Sequence, residues 1–294
     1  MGAAGGGNSL RPMRRALAAR QGGGPALVVH TDIASNDFSS LFELVAGSPD
    51  TYLGDGSVFA LAEGRSFYEP LFPAGFLSLG WSSIAVHWLS EVPEPIPEHI
   101  FSSFAEDEVR DALRERSAAD WRDFLAARAS ELRPSGRLVV VGGAALDDGR
   151  SGAEGLMEMA NGALRELVDA GELGPAEYDR MMIPTWNRTV AEFIEPFGSG
   201  QPLELRRHAE RSLPDVYLEA LREDGSLERY VASVAGFFRA AFGDSLWAGL
   251  DPSATGARRE RVAAGFDEQL GQRIAADPEA AACEWHVVVL DIAM

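Results

Sequence analysis

Three groups of residues in this 294-residue sequence have the types and spacing to do chemistry. The first is a glycine-rich opening: Gly2, Gly5, Gly6 and Gly7, then Asn8 and Ser9, running into a helical pattern over residues 10–20. Glycines let backbone pass close to a ligand, and the first turn of a helix aims N–H groups at it. Taken alone, the stretch reads at least as well as a floppy tail. The second is Asp32, which ends a strand pattern over residues 26–31. It lies close to the spacing at which an acid grips ribose hydroxyls in βαβ nucleotide folds, although a lone acid at a strand end is common. The third is His87-Trp88, which follows a strand pattern over residues 76–81, at the carboxyl edge where open α/β sheets take ligands. Both side chains offer N–H donors of the kind a carboxylate needs. A structural histidine beside a structural tryptophan is the plainer account of that pair alone.

Other chemistries lack their residues. His99, His208 and His286 are scattered without metal-ligand spacing, and neither a Ser-His-Asp order nor a GxSxG elbow is present. Glu106-Asp107-Glu108 reads as the charged start of a helix, where it complements the dipole. Cys283 is the one cysteine, which excludes an intrachain disulfide framework and fits a reducing, cytoplasmic setting. The net charge of −19 repels phosphate backbones and anionic lipid, so neither nucleic acid nor membrane is an expected partner. It also repels an anionic substrate, whose site would need local donors.

The elements that must position these residues fall into two halves. The first half alternates strand patterns (26–31, 58–61, 76–81, 137–141) with helical ones (38–46, 84–90, 106–132), which predicts an α/β fold with a parallel doubly wound sheet. Asn36 or Asp37 caps the first of these helices, and Gly22-Gly23-Gly24 reads as a turn between helix and strand. The second half reads as helices over 156–170, 213–220, 227–242 and 258–275, with strands at 203–207 and 286–292. The predicted organisation is a cofactor-binding core over 1–150, a helical cap over 151–200 and 208–280, and closing strands at 201–207 and 284–294.

Together these segments resemble the SABATH family, the salicylate, benzoate and jasmonate carboxyl methyltransferase type. Residues 2–9 resemble its cofactor loop, with Asn8 on the family's asparagine. Asp32-Ile33-Ala34-Ser35-Asn36-Asp37-Phe38 resembles its Asp-Leu-Pro-x-Asn-Asp-Phe block. Ser66-Phe67-Tyr68-Glu69-Pro70-Leu71-Phe72-Pro73 resembles its Ser-Phe-Tyr block, and residues 82–93 its Ser-Ser-Tyr-Ser-x-His-Trp-Leu-Ser-x-Val-Pro block. Residues 132–141 and Ile183-Pro184-Thr185-Trp186 also look familial, so the similarity covers nearly the whole chain.

The resemblance implies a Rossmann-like class I methyltransferase sheet with an inserted helical cap. It implies S-adenosylmethionine as cofactor, a small carboxylic acid as substrate, and a homodimer. Carried over by position, Asp32 holds the ribose and Ile33 lies against the adenine. Ser66 and Phe67 border the adenine, and Gly2 and Asn8 line the methionine side. His87 and Trp88 hold the carboxylate, and Trp186 lines the substrate pocket. A carboxylate is already ionised, so the expected role of these residues is alignment, with no catalytic acid or base.

Three departures qualify this. The family's loop follows a strand ending in an acid, so the first strand is expected to be missing, through a misplaced start or a fragment. Ile84 stands where the family usually has a substrate-side tyrosine, so the acid differs from salicylate. Asp179 matches an acid of the Mg²⁺ site of some members, but Met182 replaces its asparagine; a thioether is a poor ligand for a hard cation, and no metal is expected. N-methylation of a heterocycle, and a truncated non-catalytic homologue acting as a binding or dimerisation module, are the alternative readings.

Overall fold

A computed structural model describes residues 1–20, 24–54, 56–198 and 200–294. Gly22 and Gly23, part of the expected turn, lie outside them. The chain runs α1 (Gly7–Ala18), β1 (Ala26–Asp32), α2 (Phe38–Gly47), β2 (Val58–Gly64), β3 (Leu77–Ser83), α3 (Asp107–Glu131) and β4 (Leu132–Ala145). It continues with α4 (Glu154–Asp169), α5 (Pro175–Tyr178), β5 (Arg188–Thr189) and α6 (Val190–Ile194). Last come β6 (Glu204–Leu213), α7 (Val216–Asp224), α8 (Leu227–Trp247), α9 (Gly256–Ala276) and β7 (Trp285–Ala293).

The strands form two sheets. β1 and β2 pair in parallel, Ala26 opposite Val58 through Asp32 opposite Gly64. The other sheet has the order β3-β4-β7-β6, with the short β5 added to the end of β4. β3 and β4 are parallel, as alternating strands and helices predict, whereas β7 runs antiparallel to both β4 and β6. The sheet is therefore mixed. The β6–β7 link is the run of helices α7, α8 and α9, after which β7 returns antiparallel to β6.

Between the two sheets, the first residues of the chain reach both edges. The Met1 amino group donates to the Trp81 carbonyl at 2.8 Å, and Ala3 N donates to the Thr31 carbonyl at 3.1 Å.

Several apolar clusters follow from the pattern. Leu138, Val140, Leu290 and Ile292 alternate inward on β4 and β7 and meet Trp121 and Phe124 of α3. Leu156 and Leu164 of α4, Phe238 of α8, and Phe266 and Leu270 of α9 fill the cap. Val28 of β1 packs with Leu10 of α1, and with Leu41 and Val45 of α2. Asp37, not Asn36, caps α2: its side chain accepts from Ser40 N.

Two expectations are corrected. Residues 84–90 are not helical. Ile84 sits at φ 50, and the backbone bonds go outward, from Ile84 N to the Val141 carbonyl and from Leu89 N to the Pro184 carbonyl. Intrahelical partners are thereby pre-empted. β6 extends to Leu213, through residues assigned above to the cap and to a helix over 213–220, because β7 pairs with it as far as Leu213 opposite Trp285.

Candidate active site

The loop over residues 84–90, which carries His87 and Trp88, is held from every side by backbone bonds and buried polar side chains. The Tyr68 hydroxyl donates to the carbonyls of Val86 and Trp88. The His87 carbonyl accepts from Trp186 N at 2.8 Å. Ser90 donates through N and Oγ to the fully buried Asp120 carboxylate, at 2.9 and 2.7 Å. Arg188 of β5 donates to the Val86 carbonyl at 2.5 Å. Such a loop presents its side chains with little freedom left to lose on binding.

His87 is buried, and burial together with the nearby Arg188 charge pushes its pKa down to about 4. It is a neutral imidazole at pH 7. Its Nδ1 atom is buried with no hydrogen-bond partner among the described residues, and so is the Thr185 hydroxyl. A buried polar atom without a partner costs stability unless a ligand or water meets it. A Cβ built on Gly143 would lie 3.2 Å from His87 Nδ1 and 3.0 Å from Asn187 Oδ1, so both groups converge on a spot that only glycine leaves open.

These groups line one large cavity of about 1460 Å³. Its apolar wall comes from Ile84, Trp88 and Phe101 of the core and from Phe237, Phe242 and Trp285. Its other end is the glycine-rich loop, Met1 to Ser9, with Thr31 beside it. The volume exceeds that of an ordinary ligand pocket because the cavity continues between the facing edges of β1 and β3, past Val29 and Leu79.

The loop is tied to the end of β1. Ala4 N donates to Asp32 Oδ2 at 2.7 Å, Ile33 N to Asp32 Oδ1 at 2.8 Å, and Asn36 Nδ2 to the Ala4 carbonyl at 3.2 Å. Gly2 has φ 69, and a Cβ on it would fall 2.4 Å from the Ala85 Cβ. Phe67 stands behind it, on Tyr68 and Phe124. The segment around Phe67 is fixed by a buried ion pair. Arg128 binds Glu131 and donates to the carbonyls of Phe67 and Glu69, while Glu131 accepts from Leu71 N and Phe72 N.

Of the residues predicted for the cofactor, Gly2 and Asn8 line the cavity. Asp32 meets it through Ala4, Ile33 is 56% exposed beyond it, Ser66 accepts from Tyr68 N, and Phe67 backs Gly2. Of those predicted for the substrate, His87 and Trp88 line it and Trp186 does not. Trp186 packs with Leu89, Leu113 and Met182 and points its indole N–H toward Glu192. Its neighbour Thr185 pairs with Trp88 across an antiparallel bridge, and alternation turns Trp186 to the other side. Asn187 and Arg188 carried no motif signal, and Thr185 stood in a family-like block without a role assigned to it. The only clue was their place directly after Ile183-Pro184. Met182, expected to spoil a metal site, is buried in the same apolar cluster as Trp186.

This architecture defines a class. The fold is that of a class I S-adenosylmethionine-dependent methyltransferase: a loganic acid methyltransferase with SAH superposes with a TM-score of 0.70 over 96% of this chain and 78% of that one, at 21% identity. The chain belongs to the SAM dependent carboxyl methyltransferase family, whose model matches residues 20–274. Indole-3-acetate O-methyltransferase 1 of Arabidopsis thaliana is 30% identical over 56% of this chain and 48% of its own length. Gibberellic acid methyltransferase 1 of the same plant is 32% identical over 56% and 48%. The chain thus spans about half the length of the curated relatives it matches.

Proposed function

We propose that this protein methylates the carboxylate of a small, largely apolar organic acid to give a methyl ester, with S-adenosylmethionine as donor. The observation that carries this reading is that one cavity holds both groups of residues. The glycine-rich loop closes one end, and His87, Trp88, Thr185 and Asn187 stand among aromatic side chains at the other.

The chain's residues suit the cofactor. Gly2 leaves room that a side chain would fill, and the buried Thr31 hydroxyl beside the loop has no partner among the described residues. Gly2, Asn8 and Asp32 would hold it. When bound, S-adenosylmethionine supplies an electrophilic sulfonium methyl.

A carboxylic acid, with a pKa of roughly 4, is ionised at neutral pH, so its oxygen needs no general base. What remains is alignment, which can be worth on the order of 7–11 kcal/mol in favourable cases. His87 is neutral at pH 7. It donates one hydrogen bond without forming a tight ion pair, so the carboxylate is aimed and stays nucleophilic. Trp88, Phe237 and Phe242 give it an apolar surround. The family resemblance supports a homodimer, and the lone thiol, Cys283, supports a cytoplasmic setting; both belong to this proposal.

Calorimetry tests the reading. S-adenosylhomocysteine should bind at one site and increase the affinity for an apolar acid. Failure to bind S-adenosylhomocysteine would overturn it.

A further inference from the structure

The net charge of −19 sets a long-range field against an anionic substrate. A carboxylate site in such a protein needs a positive charge of its own, and Arg188 stands where one would act. Its side chain is 1% exposed, and it forms no ion pair among the described residues. Nη1 donates to the Val86 carbonyl at 2.5 Å and Nη2 to the Ser117 carbonyl at 2.6 Å, while Nε has no partner among those residues. The guanidinium carbon lies 5.7 Å from the Trp121 ring centre and 5.6 Å from that of Phe193, which leaves little water to screen it.

The neighbouring acids are engaged elsewhere. Asp120 binds Ser90 and Arg116, and Glu192 binds Arg114 and the Thr189 amide. Tyr68, the other polar group against Arg188, donates to the Val86 and Trp88 carbonyls. A buried cation without a carboxylate costs folding free energy, so a purely structural role would be served as well by an apolar side chain of similar volume.

We propose that Arg188 is a positioning residue for the substrate acid: it pins the Val86 carbonyl, and so the His87-Trp88 pair, and sets a positive charge that no direct ion pair neutralises behind the carboxylate end of the cavity. This rests on the carboxyl-methylation reading. It separates two contributions, charge and placement, that different substitutions remove. Arg188→Met loses both. Arg188→Lys keeps the charge and loses the two-pronged grip.

The test uses the whole chain with S-adenosylhomocysteine bound, probed by indole-3-acetate and by its neutral amide. R188M should weaken indole-3-acetate by roughly tenfold or more, weaken the amide clearly less because only placement is lost for it, leave S-adenosylhomocysteine unchanged, and R188K should restore part of the loss of the acid. Equal loss for acid and amide would overturn the proposal in favour of a merely structural role. A ligand-free readout runs beside it. By NMR, the His87 pKa should rise from about 4 in R188M and stay near it in R188K. An unchanged value in R188M would show that the charge does not reach the site. If the unsubstituted chain binds no acid of a panel of apolar carboxylic acids, the carboxylate reading fails and this proposal with it, whereas an unchanged His87 titration in R188M overturns this proposal alone.

Discussion

Trp88 and Thr185 face each other across an isolated antiparallel bridge that joins the core to the cap strap over residues 183–189. The bridge turns Thr185 toward the cavity and Trp186 away from it, so the smaller residue is the one placed to meet the substrate. Thr185→Val keeps the shape and removes a buried hydroxyl that lacks a partner among the described residues. The ligand-free protein should gain stability, by roughly 1 kcal/mol, while acid affinity falls about tenfold. Trp186→Phe should leave acid affinity unchanged. Calorimetry on both variants checks this, and the reverse ranking would show that the strap faces the other way in solution.

Trp88→Ala should abolish acid binding and turnover while leaving S-adenosylhomocysteine binding nearly intact, because Trp88 packs against Phe242 of the cap whereas the glycine-rich loop is tied to Asp32. Equal loss of both ligands would mean that the two ends of the cavity do not act separately.

Gly2→Ala should do the opposite. It forces a Cβ to 2.4 Å from that of Ala85 and places a non-glycine residue at φ 69. Cofactor affinity is expected to fall at least about tenfold, a cost of about 1.4 kcal/mol or more that is ordinary for such strain. Wild-type affinity in this variant would remove the loop from the cofactor site.

Two of the buried histidines, His30 and His87, set an acid limit. Burial lowers His87 to about 4, helped by Arg188, and lowers His30 to about 4, helped by the N-terminal ammonium. The Tyr52 hydroxyl, itself pushed up to about 12 by burial, keeps its proton and shares a hydrogen bond with His30 Nε2 at 2.7 Å. In the unfolded chain both imidazoles return to 6.5. Above that value neither state binds the proton. Between 6.5 and about 4 only the unfolded state does, so stability falls as the pH is lowered through this window. Urea midpoints from pH 7 to 4.5 should drop, with a shallower slope in His30→Gln and in His87→Gln. Identical slopes in all three proteins would contradict this.

Much of the framework was legible in the sequence because it rests on local signals. The apolar runs that became β1, β4 and β7 alternate or cluster as buried strands do, and Asp37, three residues before Ser40, announced the start of α2. The site residues came from motif resemblance; of them, Gly2, Asn8, His87 and Trp88 line one cavity. What failed was set by long-range pairing. Residues 84–90 have a helical pattern, but bonds to Val141 and Pro184 hold them as a loop. Trp186 has the composition of a pocket residue, and only its register against His87 turns it away. Arg188 was invisible because nothing local marks a guanidinium whose acceptors, Val86 and Ser117, lie 102 and 71 positions away.

The central claim is that one cavity brings a sulfonium methyl to a carboxylate oxygen. Incubating the protein with methyl-labelled S-adenosylmethionine and a panel of apolar carboxylic acids, then hydrolysing the product in base, tests it most directly. The expected result is label released as methanol, with the release lost in Trp88→Ala. Label held in a base-stable N-methyl product would contradict the claim, as would no transfer to any acid by a protein that binds S-adenosylhomocysteine.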